Sequence, residues 1–130
     1  MKNLKLFILL CSIYALGCDK EDIYSDRIIG RWQLVKVYSL MNGGFYSVKS
    51  EQKRIDEYKK NNECIRFDYM SNEISRCNYI INDTKIIIFG NNLNGQEWKY
   101  SYDYWINNDT LKIHYDGGFE FYDEFLIKIR

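Results

Sequence analysis

Large apolar side chains alternate with polar ones along most of the chain after residue 27, and this period of two predicts β-strands with one buried face. Residues 97–106 show it most clearly, with Trp98, Tyr100, Tyr102, Tyr104 and Ile106 on one face. A turn at residues 108–109 leads into a second alternating segment, so the two segments are predicted to form an antiparallel hairpin. A two-residue loop sets Ile106 opposite Leu111, Tyr104 opposite Ile113 and Tyr102 opposite Tyr115, which places every large apolar group on one side.

The rest of the chain divides into further alternating segments separated by turn residues. The glycine turn at residues 116–118 predicts a three-residue loop, which sets Tyr115 opposite Phe119 and directs Phe121, Asp123 and Phe125 inwards. Earlier strands are predicted at residues 31–38, 44–48, 64–70, 74–81 and 85–89, which makes eight in all. The charged segment 50–62 is predicted to be a short surface helix or helical insertion. Successive antiparallel strands with short turns predict an all-β fold, either an up-and-down barrel or a strongly curled sheet.

The amino-acid composition agrees with an all-β fold and gives no indication of nucleic-acid binding. The chain lacks proline, has Ala15 as its one alanine and is 17% aromatic, a balance that favours sheet over helix. A length of 130 residues predicts one folded domain. The 18 basic residues are matched by 18 acidic ones. The chain therefore lacks the excess of positive charge that would indicate a nucleic-acid partner.

The N-terminus has the pattern of a secretory signal. Lys2 and Lys5 precede an apolar run over residues 6–16, which is too short to span a bilayer. Gly17 followed by Cys18 resembles a bacterial lipobox, in which the cysteine is lipidated and becomes the first residue of the mature protein. Ala15 and Gly17 also fit ordinary signal cleavage.

We therefore expect a signal peptide over residues 1–17, a lipidated Cys18 with a tether over 18–26, and a β domain over 27–130. The acidic and lysine residues at 19–22 resemble the surface-export signal of Bacteroidota lipoproteins, and they equally fit a solvated tether. The expected location is the bacterial cell envelope, with acyl chains on Cys18 holding the protein to the outer membrane, periplasmic or surface-exposed.

A family resemblance lies at the start of the β domain. Gly30-x-Trp32 follows the apolar pair at residues 28–29 and resembles the G-x-W signature of lipocalins, and more closely the lipocalin-like domains of Bacteroidota lipoproteins. The end of the chain, with a glycine turn and an aromatic last strand, is similar to that group too. The resemblance implies a small lipocalin-like barrel over residues 27–130, in which Trp32 packs at the closed end beneath a basic side chain, either Lys128 or Arg130.

The candidate chemistry is sparse. His114 is the only histidine and is predicted to face outwards opposite Asp103, where the pair would be an acid–base pair or, as we favour, a cross-strand ion pair. No nucleophile accompanies it, so we expect no enzyme activity and no cofactor. The number of histidines excludes a three-histidine metal site, and no cluster of thiolate ligands is present.

Two cysteines remain after signal removal. The turn near residues 70–71 sets Cys64 opposite Cys77, and the same register sets Phe67 opposite Ile74. A disulfide would close about fourteen residues and add about 3 kcal/mol to the free energy of unfolding. The alternative is two partly buried thiols.

The aromatic side chains suggest the leading function, non-catalytic binding of a small apolar or amphipathic ligand. Such a site would use Trp98, Tyr100, Tyr102, Tyr104, Tyr115 and Phe121. In small barrels these side chains can instead fill the core, and the alternative function is then an interaction module for another envelope protein, acting through Trp105 or segment 50–62. Asp123 and Arg76 would either orient a polar head group from inside or turn to water. The motif at residues 109–111, with Thr110 as acceptor, resembles the short O-glycosylation motif of Bacteroidota and equally fits a hairpin turn.

Overall fold

The fold is a closed antiparallel β-barrel, seen in a computed structural model that describes residues 26–49 and 52–130. The predicted signal peptide, Cys18 and nearly all of the tether lie outside the described residues. Strands β1 and β3–β9 close an eight-stranded barrel through the pairing of β1 with β9, and β2 is an extra strand on the second half of β1. The predicted all-β, lipocalin-like barrel architecture is therefore confirmed. The strands are β1 (Gly30–Ser39), β2 (Gly44–Ser47), β3 (Arg54–Tyr58), β4 (Glu63–Asp68), β5 (Glu73–Ile81), β6 (Lys85–Asn91), β7 (Glu97–Asn107), β8 (Thr110–Asp116) and β9 (Phe121–Ile129).

The predicted helical insertion over residues 50–62 is wrong. Its described part contains β3, which pairs with β1 on one side and β4 on the other. Arg54, Asp56 and Tyr58 alternate into the barrel and are buried. The period of two is therefore present, but two of its three inward positions are charged, so it does not stand out as an apolar alternation. Within the described ranges, no helix has the length and apolar character needed to cross a membrane.

Two of the three predicted hairpin registers are confirmed. Strands β7 and β8 pair with Ile106 opposite Leu111 and Tyr104 opposite Ile113. Strands β4 and β5 pair with Cys64 opposite Cys77. In β7 and β8 the large apolar groups are concentrated on the inner face, which fixes the register. In β4 and β5 the predicted pair of Phe67 and Ile74 is present but lies on the outer face, where Ile74 is 61% exposed.

The predicted register of the last hairpin is wrong. Its loop is one residue longer than predicted, and Tyr115 lies opposite Tyr122 instead of Phe119. This shift by an odd number of residues reverses the faces of β9. Glu124 and Leu126 are buried, whereas Phe121 is exposed. The loop uses Gly118 at a φ of +80° and extends to Glu120, whose carbonyl accepts a hydrogen bond from Gly117 N.

One end of the barrel is closed around Trp32, which is fully buried. Its indole Nε1 donates to the Ile28 carbonyl at 2.6 Å. Lys128 lies opposite Trp32 on β9, and its ammonium is 5.2 Å from the centre of the indole ring. Of the two basic side chains expected above Trp32, the structure thus places Lys128 there.

Candidate ligand-binding site

A cavity of about 220 Å³ lies against the inner wall formed by β4–β8. This volume is below the roughly 300–1,000 Å³ of pockets that hold drug-sized molecules, so it suits a smaller ligand. The cavity is lined by Cys64, Arg66, Ser75, Arg76, Cys77, Ile88, Trp98, Tyr100, Tyr102 and Tyr115.

An aromatic wall forms one side of the cavity. Trp98, Tyr100 and Tyr102 occupy alternate positions of β7, with ring centroids 5.7 and 6.2 Å apart along the row. Tyr115 of β8 continues the row, 4.5 Å from Tyr102, and stacks on Tyr122 of β9 at 4.6 Å. Offset and tilted rings at these distances give a flat apolar surface that can pack against a ligand. The structure therefore brings together four of the six side chains predicted to line a site.

The other two predicted side chains lie elsewhere. Tyr104 faces inwards as expected, but it is buried in the core and its hydroxyl donates to the Asn82 carbonyl. Phe121 is on the outer surface, 39% exposed, with its ring 5.9 Å from that of His114. The prediction that Phe121 faces the interior is wrong because the register of β8 and β9 is shifted by an odd number of residues.

A buried charge cluster, formed by Arg54, Asp56, Arg66 and Glu124, stands beside the cavity. Asp56 is fully buried and receives bonds from two guanidinium groups. Arg54 reaches it through Nε at 3.2 Å and Nη2 at 3.0 Å. Arg66, directly opposite on β4, reaches it through Nε at 2.8 Å and Nη2 at 3.1 Å. Arg54 also binds both carboxylate oxygens of Glu124, at 2.7 and 2.5 Å.

The contacts within the cluster oppose the effect of burial on the pKa of three of its members, Arg54, Asp56 and Arg66. Burial alone would raise the pKa of Asp56, but Arg54 and Arg66 together bring that pKa below its ordinary value. Burial alone would lower the pKa of Arg66, but the Asp56 carboxylate raises it above the ordinary range. Burial would likewise lower the pKa of Arg54, but the neighbouring Asp56 and Glu124 carboxylates raise it above the ordinary value. Two cations and two anions therefore cancel inside the barrel.

Sequence reasoning missed this cluster; it considered Arg76 and Asp123 instead, either inside the barrel or, as we favour, turned to water. Arg76 borders the cavity but is 64% exposed, and it forms an ion pair with Glu63 at 2.8 Å. Asp123 lies on the outer face, 2.7 Å from His114 Nδ1 and 2.9 Å from Lys112 Nζ. The interior thus contains charged side chains, as one reading of the sequence held, but different ones. His114 lies opposite Asp103 in the register and forms an outer cross-strand pair, but its hydrogen bond is to Asp123, whereas Asp103 pairs with Lys85.

Two buried tyrosine hydroxyls, those of Tyr58 and Tyr115, have no hydrogen-bond partner among the described residues. Burial raises the pKa of both phenols, so each stays protonated and can donate. Tyr115 lines the cavity, whereas Tyr58 does not. A buried donor without an acceptor costs about 1–3 kcal/mol, so a ligand oxygen beside Tyr115 would recover part of that cost.

The cysteine pair lies on the wall of the same cavity. In this structure Cys64 and Cys77 are free thiols, and the Cys77 thiol lies 3.4 Å from the Cys64 carbonyl. The neighbouring Cys77 thiol, together with burial, raises the pKa of Cys64, and the neighbouring Cys64 thiol lowers the pKa of Cys77. The facing positions agree with the predicted register, and the disulfide itself stays a prediction.

A scan against models of known protein families found no match to this chain, and neither did a search of curated proteins. The cavity itself joins an aromatic wall, two guanidinium groups, the buried phenol of Tyr115 and two thiols. Such an arrangement can hold a small molecule that has one apolar and one polar part.

Proposed function

We propose that the barrel binds a small amphipathic molecule, without catalysis, in the cavity beside Arg66. The observation that carries the proposal is the composition of the cavity wall. The rings of Trp98, Tyr100 and Tyr102 supply an apolar surface, and Arg66 and Tyr115 supply hydrogen-bond donors next to it. Pockets for small ligands combine a largely apolar lining with a few placed polar groups in this way.

The charge cluster supports the same proposal through its energetic cost. Replacing buried ion pairs by well-packed apolar side chains is often neutral or stabilising, so stability alone does not explain them. Here the cluster reaches the cavity through Arg66, whose side chain is 33% exposed. A polar site next to the ligand would explain charges inside a barrel that has an otherwise apolar core.

We further propose that acyl chains on Cys18 hold the barrel at the outer membrane of a bacterial envelope. The proposal derives from the signal and lipobox patterns at the N-terminus. An anchored barrel would capture its ligand close to the membrane, where amphipathic molecules concentrate.

The experiment that tests ligand binding is native mass spectrometry of the mature protein isolated from membranes. We expect a bound small molecule in the wild type and its loss in Trp98→Ala, because this ring is the end of the aromatic row farthest from Tyr115. Trp105→Ala is the matched control, since Trp105 is on the same strand but 53% exposed on the outer face. An empty wild-type barrel, or equal occupancy in Trp98→Ala, would contradict the proposal.

The second candidate function, an interaction module, is favoured by the outer face around Trp105. Lys112 Nζ lies 4.8 Å from the centre of the Trp105 ring and 5.7 Å from that of Phe125. Aromatic side chains with a cation among them are common at protein interfaces. Under this function Trp105→Ala would abolish capture of an envelope protein while Trp98→Ala would not, so the same two variants separate the candidates.

A further inference from the structure

We infer that the polar part of the ligand is a carboxylate, held by the Arg66 guanidinium and the Tyr115 hydroxyl; this inference rests on the proposed binding function. Two hydrogen-bond donors at the cavity, Arg66 Nη1 and the Tyr115 hydroxyl, lack an acceptor among the described residues. Two arginines line the cavity, Arg66 paired with Asp56 and Arg76 paired with Glu63, and the lining contains no aspartate or glutamate. The lining therefore offers hydrogen-bond donors to a ligand and contains no carboxylate that would compete for them.

The two arginines of the cluster differ in the donors that they leave free. Arg54 uses Nε, Nη1 and Nη2 on Asp56 and Glu124, and its side chain is 11% exposed. Arg66 uses only Nε and Nη2, both on Asp56, and its Nη1 has no hydrogen-bond partner within residues 26–49 and 52–130. The guanidinium that lines the cavity is thus the one with a free donor group. A guanidinium fork binds carboxylate oxygens with good geometry.

Asp56 also fixes the orientation of that group. It faces Arg66 directly across β3 and β4 and receives two parallel N–H bonds from it. A bidentate pair of this kind restricts rotation of the guanidinium plane. Arg66 therefore presents the same edge to the cavity before and after a ligand enters, which lowers the entropic cost of binding.

The Tyr115 hydroxyl supplies the second donor. It is buried, lines the cavity and lacks an acceptor among the described side chains and backbone. One carboxylate oxygen on Arg66 and the other on Tyr115 would satisfy both donors. The hydrocarbon part of the ligand would then lie along Tyr102, Tyr100 and Trp98, whose rings extend from Tyr115 in a row.

The test compares two probes of similar size that differ in charge, 3-phenylpropanoate and 3-phenylpropanamide, by isothermal titration calorimetry on the full chain. A hydrogen bond to a charged group is stronger than one to a neutral group, so we expect the carboxylate to bind about tenfold more tightly. Tyr115→Phe should weaken carboxylate binding about tenfold and change amide binding much less. It keeps the ring and removes only the hydroxyl, so folding is preserved.

Tyr58→Phe is the matched control, because it also removes a buried hydroxyl that has no described partner, but one that does not line the cavity. We expect wild-type affinity for 3-phenylpropanoate in this variant. Equal affinity for the two probes, or wild-type carboxylate binding in Tyr115→Phe, would overturn the inference. The proposed binding function would survive that result if native mass spectrometry still showed a ligand lost in Trp98→Ala, and it would fail with the inference if neither probe bound and the isolated barrel were empty.

Discussion

Replacing Asp56 with asparagine should destabilise the barrel by an amount that the geometry allows us to estimate. The carboxylate is fully buried and accepts four N–H bonds between 2.8 and 3.2 Å, two from each of Arg54 and Arg66. Asparagine has nearly the same shape, but it removes the charge and directs an amide donor at guanidinium donors. Glu124 would still pair with Arg54, but Arg66 would lose its carboxylate partner and the cluster would carry a net positive charge.

Removing one partner of a buried ion pair costs about 3–5 kcal/mol. Arg66 is 33% exposed, so water relieves part of the unpaired charge, and we expect a loss near the lower limit, about 3 kcal/mol. Domains of this size have a free energy of unfolding of about 5–15 kcal/mol. The variant should therefore fold, but with a large part of its stability lost.

The assay is urea denaturation followed by tryptophan fluorescence. With a slope of about 1–3 kcal/mol per molar urea, the midpoint should fall by about 1–3 M. Asp103→Asn is the control, because Asp103 forms an ion pair with Lys85 at 2.6 Å but is 40% exposed, and exposed pairs contribute at most about 1 kcal/mol. A decrease in Asp56→Asn no larger than in Asp103→Asn would refute this account of the cluster.

Further predictions concern acid stability, the thiols and the closed end. The folded pKa of Asp56 is below its unfolded value, so its contribution is complete above about pH 4 and is lost as the pH falls through the folded pKa; urea midpoints should show this loss in the wild type and not in Asp56→Asn. Iodoacetamide should label Cys77 at lower pH than Cys64 by peptide mass spectrometry, and the reverse order would contradict the pKa directions. Oxidation of the pair should raise the free energy of unfolding by about 3 kcal/mol, and an unchanged midpoint with and without reductant would show that no bridge forms. Gly30→Ala should cost about 1–3 kcal/mol, because the φ at Gly30 is +129° and a Cβ would lie 2.9 Å from Lys128 Cε; an unchanged melting midpoint would contradict this.

The strands that sequence reasoning located best are those with large side chains on one face only. The register of β7 and β8 could be predicted because Lys112 and His114 leave little doubt about which face is outside. The register of β9 could not, because its large apolar side chains fall on both faces. Phe121 and Phe125 compete with Tyr122 and Leu126, and the loop length then decides which set is buried.

The sequence did not predict the charge cluster, because charged side chains are usually assigned to the surface of a protein. Arg54 and Asp56 made their segment resemble a polar insertion, although they alternate with the period of a strand. One feature of the sequence could have indicated that these charges are buried. The register that sets Cys64 opposite Cys77 puts Arg66 on the same face as Cys64, and a buried guanidinium there needs a carboxylate on the next strand.

The cluster also explains how one arginine can stay available to a ligand inside a closed barrel. Its ion pairs form a row from Glu124 to Arg66. Glu124 pairs with Arg54, Asp56 lies between Arg54 and Arg66, and Arg66 is the last member, at the cavity. An isolated buried guanidinium would be too costly to keep charged. The guanidinium of Arg66, at the end of a neutral row of ion pairs, is instead held in place and retains a free donor group. Because Asp56 is the link between Arg54 and Arg66, its loss should both destabilise the barrel and weaken binding of 3-phenylpropanoate. An effect on stability without any effect on that affinity would mean that the cluster supports the fold alone.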